Sequence, residues 1–294
     1  MKLINQSFEI LEQTDFSLVG IKKFIEKCGR VCYKSEDKIT DDSYEKFVDM
    51  LVKRDHARPL EFGTVYLKHE WSGRVCQFCN QVAPNKVLDR YCNNKYSIVK
   101  YRGNDTYITT NYRVIIENGW EDDLKYLCEP TEYHAKRYTV HFITSRGIMD
   151  EFRTHVGLSH LAESTRYCNY SKGKFNNELT FVAPYNLDLQ KLKLYGPYHT
   201  VIRNQSAESI FIAHLNNAEK DYLDLINLGW TPQQARDVLP LSIKSELISC
   251  GFVDAWENFF YRRCDNAAHP MARELACNLK TKFIEKGYII TKNE

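Results

Sequence analysis

Residues 151–175, with the sequence EFRTHVGLSHLAESTRYCNYSKGKF, decide how the rest of the chain is interpreted. Within this stretch, residues 162–175 contain a carboxylate, two serines, a threonine, an arginine, two lysines and two tyrosines. Few of these side chains favour a hydrophobic core, since charged and hydroxyl-bearing residues are mostly exposed in folded proteins. The segment is therefore either a solvated loop or the wall of a polar binding site.

The composition excludes several classes of protein. The 294 residues suffice for a domain with a hydrophobic core, and the net charge of +2 does not favour general binding to nucleic acid or to an anionic membrane. No apolar run approaches the roughly 18 residues of a membrane span, and the N-terminus lacks a signal-peptide core. We therefore expect a cytoplasmic protein whose ten cysteines are mostly buried, reduced thiols.

Hydrophobic periodicity predicts helices in both halves of the chain and strands between them. Alternating apolar and polar residues predict strands at 63–71 and 137–146. Apolar residues at helical spacing predict helices at 17–33, 40–57, 147–156, 199–229, 255–265 and 270–287. Thr231, Pro232 and Gln234 form a capping-box pattern that begins a further helix.

The order of these elements predicts one α+β domain over residues 1–294, with helices around a small mixed or antiparallel sheet. The polar segment from about 76 to 104 looks irregular, and we interpret it as part of an insertion at about 70–135. Residues 95–104, KYSIVKYRGN, interleave aromatic and basic side chains. This pattern is a remote indication of nucleic-acid binding and is equally typical of a strand, so we expect no nucleic-acid partner.

Four arginines lie in segments that also carry apolar residues: Arg153, Arg166, Arg236 and Arg263. A guanidinium beside apolar residues is favoured where a planar anion is bound by two parallel hydrogen bonds. Taken singly, each arginine is more simply explained by an ion pair with a neighbouring carboxylate, because such pairs are common on helices.

A zinc site is a weaker prediction from the thiols and imidazoles of the insertion. His69, Cys76, Cys79 and Cys92 offer four potential ligands, including one C-x-x-C pair. A second C-x-x-C pair is missing and the spacing fits no standard zinc finger. Unliganded thiols are therefore the favoured interpretation.

A cysteine nucleophile is also weakly indicated. Cys168 lies in the polar stretch, with Lys172 four residues later, and a reactive thiolate would need a base and an electropositive setting. A packed cysteine is the favoured interpretation. The chain has neither a G-x-G-x-x-G nor a Walker sequence, so a bound nucleotide would be held by side chains.

The opening stretch resembles the signature of the flavin-dependent thymidylate synthases, R-H-R-x-x-S-x-N-E-x-S-x-R-Y. Aligned from Thr154 to Tyr167, the residues that match are His155, Ser159, Ser164, Arg166 and Tyr167. Three further blocks resemble the family in the same order. They are residues 28–62, which contain the H-x-x-x-x-E pair His56 and Glu61, residues 232–246 and residues 259–276.

The resemblance implies an enzyme that methylates dUMP reductively to dTMP. It implies FAD, NADPH and methylenetetrahydrofolate as cofactors and co-substrates, and a homotetramer with active sites between subunits. The family uses no cysteine nucleophile, so Cys168 need not be reactive. The polar stretch is then expected to be the wall of a site.

The resemblance also implies two groups of binding residues. Those expected at dUMP are Glu151, Ser164, Arg166, Arg236 and Arg263. Those expected at FAD are His56, Arg58, Glu61, His155, Ser159 and Asn258. Ser164 and Arg166 would contact the phosphate, whereas Arg236 and Arg263 would hold the uracil and favour negative charge on its ring. We predict Ser164, Arg236 and Arg263 as the catalytic residues.

The signature is altered at four positions. Thr154 and Val156 replace its first two arginines, and Leu161 and Ala162 replace its asparagine and glutamate. Arg153 lies one residue before Thr154, and Glu163 lies one residue after Ala162, so each is one position away from the matching residue of the signature. On a helix, a shift of one residue would turn a side chain by about 100°. Arg58 stands where the family usually has a small hydroxyl residue, and it would restore part of the lost positive charge.

The altered positions belong mostly to the flavin side of the expected site, which leaves three hypotheses. The first is a divergent flavin-dependent thymidylate synthase. The second is a pyrimidine nucleotide-modifying enzyme with the same fold and changed cofactor use. The third is a catalytically silent nucleotide-binding homologue. Flavin binding separates the first from the third, and the reaction product separates the first from the second.

Overall fold

The computed structural model describes residues 1–70, 90–164, 168–171, 177–187 and 206–290. Its strands are β1 (Lys2–Ile4), β2 (Ser7–Leu11), β3 (Thr64–Glu70), β4 (Ile98–Arg102), β5 (Asp105–Asn111), β6 (Arg137–Ser145), β7 (Ser159–Ala162), β8 (Thr180–Val182) and β9 (Lys244–Phe252). Its helices are α1 (Leu18–Tyr33), α2 (Ser43–Lys53), α3 (Tyr112–Asn118), α4 (Arg146–Arg153), α5 (Ala207–Asn227), α6 (Pro232–Ala235), α7 (Val253–Arg263) and α8 (Pro270–Glu285). Short 3₁₀ segments cover Glu36–Lys38, Arg58–Phe62, Glu121–Tyr126 and Arg236–Val238.

The centre of the fold is an antiparallel sheet with the strand order β2-β6-β9-β7. Strand β9 pairs along its whole length with β6, from Arg137 opposite Phe252 to Ser145 opposite Lys244. A parallel pair, β1 and β8, and a second antiparallel sheet accompany it. Helices surround these small sheets, so the predicted α+β class is confirmed.

The central strand β9 was not predicted, and the C-terminal half is less purely helical than its sequence suggests. Residues 245–251 of β9 are all buried, because helices cover both faces of the sheet at this strand. A strand covered on both faces does not show alternating apolar and polar residues. Ser245, Glu246 and Ser249 in its middle also hide its hydrophobic character.

Two hydrophobic clusters hold the helices against opposite faces of this sheet. On one face Phe142 and Leu247 pack with residues of α4, α7 and α8, including the fully buried Trp256. On the other face Ile248 and Cys250 pack with residues of α1. Burial of large apolar side chains on both faces fixes α1 and α4 relative to β7 and β9, and these elements carry the site described below.

A second sheet, with the order β3-β5-β4, occupies the region interpreted as an insertion. Val65 and Ile108 from its strands pack with Ile21 and Ile25 of α1, so it shares a core with the N-terminal helices. The predicted irregular segment 76–104 is wrong from residue 98 onward, because β4 pairs with β5 there. Residues 71–89 lie outside the described part of the chain.

Several predicted helices are confirmed, with corrected ends. The side chain of Ser17 accepts a hydrogen bond from the backbone N of Gly20 and begins α1. Helix α5 begins at Ala207, because Ser206 has extended backbone angles and its side chain caps the helix. The predicted start at residue 199 lies outside the described residues. The helix that begins at Pro232 has only four residues, and Gln234 Oε1 accepts from the Thr231 backbone N at 3.0 Å.

The altered signature does not lie on a helix. Helix α4 ends at Arg153, and after a turn with Gly157 at φ +99° the chain enters β7. The expectation that Arg153 and Glu163 are related to the signature by a helical shift is therefore wrong. On a strand, a shift of one residue moves a side chain to the opposite face.

Candidate functional site

Residues 162–164, at the start of the polar stretch, line a cavity of about 360 Å³. Its lining residues are Cys32, Arg58, Arg146, Arg153, His160, Leu161, Ala162, Glu163, Ser164 and Arg236. We call this cavity the arginine cleft, because four guanidinium groups come to it from separate elements. Further along the stretch, Cys168 and Tyr170 pack in a hydrophobic cluster, so the expectation of a site wall stays a prediction beyond Ser164.

Local structure explains how these side chains meet. Arg146 is the first residue of α4, whose N-cap Ser145 accepts a hydrogen bond from Ile148 N at 3.4 Å. Arg153 is the last residue of the same helix, two turns later, and so shares its face. Arg58 begins the 3₁₀ segment that follows α2, and Arg236 begins the one that follows α6.

The end of β7 is fixed against its neighbours. The backbone N of Glu163 donates to Glu246 O of β9 at 2.8 Å, and Ser164 N donates to Cys32 O at 3.4 Å. These two hydrogen bonds place Ser164 beside the C-terminal turn of α1. Ser164 and Arg236 therefore line the same cleft although 72 positions separate them in the sequence.

The charge of the cleft is positive. Arg146 and Arg153 share one carboxylate, Asp150, at 3.1 Å each. Arg236 Nε lies 3.8 Å from Asp237. Among the described residues no carboxylate lies within ion-pair distance of Arg58. Arg153 and Arg236 each have a carboxylate neighbour, as the simpler explanation expects. Both side chains also line one cavity, where they could bind an anion.

A buried carboxylate, Glu163, completes the wall. Its Oε2 lies 3.0 Å from Lys244 Nζ and 3.9 Å from Lys34 Nζ. Both lysines also contact Glu246, whose other oxygen lies 2.9 Å from His141 Nε2. This lysine–glutamate cluster was not anticipated from sequence, because its members come from α1, β7 and β9.

A second cavity, of about 500 Å³, adjoins the arginine cleft and shares Cys32, Arg58 and Leu161 with it. His56 and Arg58, both expected at FAD, lie in its wall. His56 Nδ1 is 3.3 Å from the hydroxyl of Tyr33. Burial raises the pKa of the Cys32 thiol to about 12, so this cysteine stays protonated between the two cavities.

Other residues expected at FAD lie outside the lining of both cavities. Glu61 forms an ion pair with Arg113, and Asn258 on α7 accepts a hydrogen bond from Arg262 Nε at 3.2 Å. The ring of His155 packs 5.4 Å from that of Phe259. Ser159 begins β7 and pairs with Cys250. The roles of these residues stay predictions.

The two histidines of this region are held neutral. Burial, followed by the charge of Arg263, lowers the pKa of His155, and its Nε2 has no hydrogen-bond partner in the part of the chain that the structure describes. Burial lowers the pKa of His160 to about 4. His160 lies between Ser249 Oγ, 2.9 Å from its Nδ1, and the carbonyl of His155, 3.2 Å from its Nε2. His160 therefore supports the wall of the cleft as a neutral ring.

Arg263 and Glu151, both expected at dUMP, lie apart from the arginine cleft and bind each other. Arg263 Nη2 donates to the Glu151 carbonyl at 2.6 Å, and Nη1 lies 3.4 Å from Glu151 Oε2. The predicted convergence of Arg236 and Arg263 on one ligand is thus not found within a single chain.

Several predicted residues lie outside the described part of the chain. Arg166 and Tyr167 are among them, as are Cys76 and Cys79 of the proposed zinc set. Its other members are described: the ring of His69 packs 4.7 Å from Tyr126, and Cys92 Sγ is 3.3 Å from the Tyr101 hydroxyl. No group of metal-binding side chains is found among the described residues.

The cleft contains residues that the sequence did not single out. Arg146 and His160 are the clearest cases. The two lysines that contact Glu163 were also not singled out, although they do not line the cleft themselves. Arg146 had a usable signal, because it stands where a predicted strand passes directly into a predicted helix. Cys168 is buried, in agreement with the interpretation as a packed cysteine.

Comparison with known proteins identifies one family. The family model described as thymidylate synthase complementing protein matches residues 130–286, just over half of the chain. The matched part begins before β6 and ends after α8, so it includes three of the four strands of the central sheet and most of the arginine cleft. No curated protein matches the chain. In the described parts of the chain, every helix is too short or too polar to cross a membrane.

Proposed function

The chain belongs to the thymidylate synthase complementing protein family, the flavin-dependent thymidylate synthases, and we propose that it converts dUMP to dTMP by reductive methylation. FAD, once reduced by NADPH, would supply the hydride for this reaction, and methylenetetrahydrofolate would supply the one-carbon unit. We place the reaction in the cytoplasm, where these small molecules are made and used.

The observation that carries this proposal is the convergence of Ser164 and four arginines on one cleft. A nucleotide phosphate carries two negative charges, and guanidinium groups bind it with paired, charge-assisted hydrogen bonds. In the proposed complex Ser164 and Arg146 hold the phosphate, with Arg166 as a further predicted contact. Arg236, which lines the same cleft, binds the uracil and stabilises the negative charge that develops on the ring.

The second cavity suits FAD in its chemistry. It is larger than the arginine cleft and opens to solvent. At the junction with that cleft lies Arg58, a cation without a carboxylate partner among the described residues, which would bind the cofactor's phosphate groups. His56 and Tyr33 supply hydrogen-bonding groups on the same wall. Arg58 and Arg153 would supply charge that the altered signature lacks at Thr154 and Val156.

The homotetramer expected for the family offers a role for residues outside the cleft. Arg263, Glu151, His155, Ser159 and Asn258 come from α4, the turn after it, β7 and α7. We propose that in the tetramer this region lies beside the cleft of a neighbouring subunit. Arg263 would then reach the uracil of that subunit, and Glu61 would act on FAD indirectly by fixing Arg113.

One observation favours an alternative function. Val156 stands where the signature has an arginine, and its side chain is 85% exposed. An apolar side chain there provides no contact for a phosphate. The alternative is therefore a pyrimidine nucleotide-modifying enzyme with changed cofactor use, or a silent nucleotide-binding homologue.

A product assay tests the proposal. The protein is incubated with dUMP, FAD, NADPH and methylenetetrahydrofolate, and dTMP is measured by chromatography with mass detection. We expect dTMP that requires all four compounds. Binding of dUMP without dTMP formation would favour the alternative, and failure to bind dUMP would refute both.

A further inference from the structure

Glu163 is an anionic residue in a cleft of cations. Its side chain is only 1% exposed, and it lines the arginine cleft next to Ser164. Its Oε2 is bound to Lys244, but none of the described residues donates a hydrogen bond to its buried Oε1. A buried acceptor without a partner is costly, so it is uncommon unless a ligand or water supplies the missing donor.

The surroundings of Glu163 hold it in place. Its backbone N is bonded to Glu246 O at 2.8 Å, and Lys244 fixes Oε2 at 3.0 Å. Lys34, 3.9 Å from the same oxygen, adds a second positive charge. The carboxylate is therefore paired through Oε2, while Oε1 is a buried acceptor held in a fixed orientation.

We propose that Glu163 Oε1 accepts a hydrogen bond from the bound nucleotide and so determines which nucleotides the cleft binds. This inference rests on the proposed function. The donor belongs to an uncharged part of the ligand, because a dianionic phosphate has no proton to give and would be repelled by the carboxylate. In dUMP the candidates are the N3–H of uracil and the 3′-hydroxyl of deoxyribose.

The two donors can be separated with analogues. In dCMP the base nitrogen N3 is an acceptor, whereas 2′,3′-dideoxy-UMP lacks the 3′-hydroxyl. The dissociation constants of dUMP and both analogues are measured by calorimetry for the wild-type protein, for Glu163→Gln and for Glu36→Gln. Glu36 is the matched control, since it also contacts Lys34, at 3.4 Å, but does not line the cleft.

Glu163→Gln exchanges an acceptor for a donor at the Oε1 position. Lys244 requires an acceptor, so the amide oxygen faces Lys244 and the amide NH₂ faces the ligand. If the donor is N3–H, wild-type protein prefers dUMP to dCMP by roughly 10- to 100-fold, and the variant loses most of this preference. If the donor is the 3′-hydroxyl, wild-type protein binds the dideoxy analogue more weakly than dUMP by a similar factor. Glu163→Gln then binds the two nucleotides with similar affinity.

Two affinity ratios decide the outcome: dUMP over dCMP, and dUMP over the dideoxy analogue. The inference is overturned if Glu163→Gln changes neither ratio, or changes them no more than Glu36→Gln does. If Glu163→Gln does not fold, Glu163→Asp replaces it, because aspartate keeps the charge and withdraws the acceptor by one methylene. An unchanged pair of ratios in Glu163→Asp overturns the inference equally. Wild-type protein that fails to bind dUMP refutes the proposed function itself, so the two failures are distinguishable.

Discussion

Arg263 and Glu151 are joined by two contacts, from Nη2 to the backbone carbonyl at 2.6 Å and from Nη1 to Oε2 at 3.4 Å. The contacts connect the C-terminal ends of α7 and α4, which pack on the same face of the central sheet. Both residues resemble family positions at the nucleotide, yet within one chain they stabilise the junction of two helices. Their effect on stability and their proposed effect on catalysis can therefore be measured separately.

Replacing Arg263 by alanine removes this junction. We expect Arg263→Ala to lower the free energy of unfolding by about 1–2 kcal/mol, because a charged donor is lost from a partly buried acceptor. Urea denaturation measures the change. The matched control is Arg262→Ala, since the Arg262 side chain is exposed and bonds to Asn258. Equal stability of the two variants would contradict the structural role of Arg263.

Arg236 is expected to act on the ligand more than on the fold. Its side chain is about one-third exposed and lines the arginine cleft. We expect Arg236→Ala to weaken dUMP binding by roughly 10- to 100-fold, with little change in the unfolding midpoint. The control is Arg102→Ala, on the exposed strand β4. Loss of affinity in both variants would point to general electrostatics and against a specific contact.

The buried lysine–glutamate cluster predicts how stability depends on pH. Burial alone would raise the pKa of Glu246, but the hydrogen bond with His141 and the charges of Lys244 and Lys34 lower it well below its usual value of 4.5. A carboxyl whose pKa is lower in the folded state stabilises the protein above the unfolded pKa. This stabilisation is lost as the pH falls from about 4.5 through the lower pKa of the folded state.

Glu246→Gln tests this dependence. The variant should be less stable at pH 7, by about 3–5 kcal/mol, because two buried lysines lose a charged partner. Its stability should also fall less steeply than that of the wild-type protein below pH 4.5. Thermal unfolding across pH 3–7 measures both effects. Parallel curves for the two proteins would show that Glu246 does not contribute to acid sensitivity.

Gly157 controls the turn between α4 and β7. Its φ is +99°, a region that residues with a Cβ rarely adopt, and a Cβ there would lie 3.3 Å from Ala255 Cβ. We expect Gly157→Ala to destabilise the protein by about 1–3 kcal/mol through backbone strain. Gly147→Ala is the control, because a Cβ at Gly147 meets only Leu241 at 3.6 Å. Calorimetric unfolding that does not distinguish these variants would contradict the strained turn.

The sequence predicted most of the helices because each has an apolar stripe and an end signal. Ser17 begins α1 and Gly229, at φ +96°, follows α5, as their residue types indicate. Strand β9 could not be found in this way, because both of its faces are buried and its pattern does not alternate. The error at the signature had a similar cause, since a four-residue strand is too short for its period to be read.

The site was predicted in part for a related reason. Ser164 and Arg236 resemble family positions and do line the cleft. Lys34 and Lys244 could not be assigned, because only the pairing of β7 with β9 and the packing of α1 bring them to Glu163. Residues that are brought together only by tertiary packing have no characteristic spacing in the sequence, so sequence patterns do not predict that they are close.

The most direct test of the account is the visible absorbance spectrum of the protein with FAD, before and after dUMP is added. We predict that FAD binds and that dUMP changes the flavin spectrum, because the two cavities share Arg58. Arg58→Ala should weaken FAD binding and reduce this change. A protein that binds dUMP without binding flavin, or a flavin spectrum that dUMP leaves unchanged, would contradict a shared site for thymidylate synthesis.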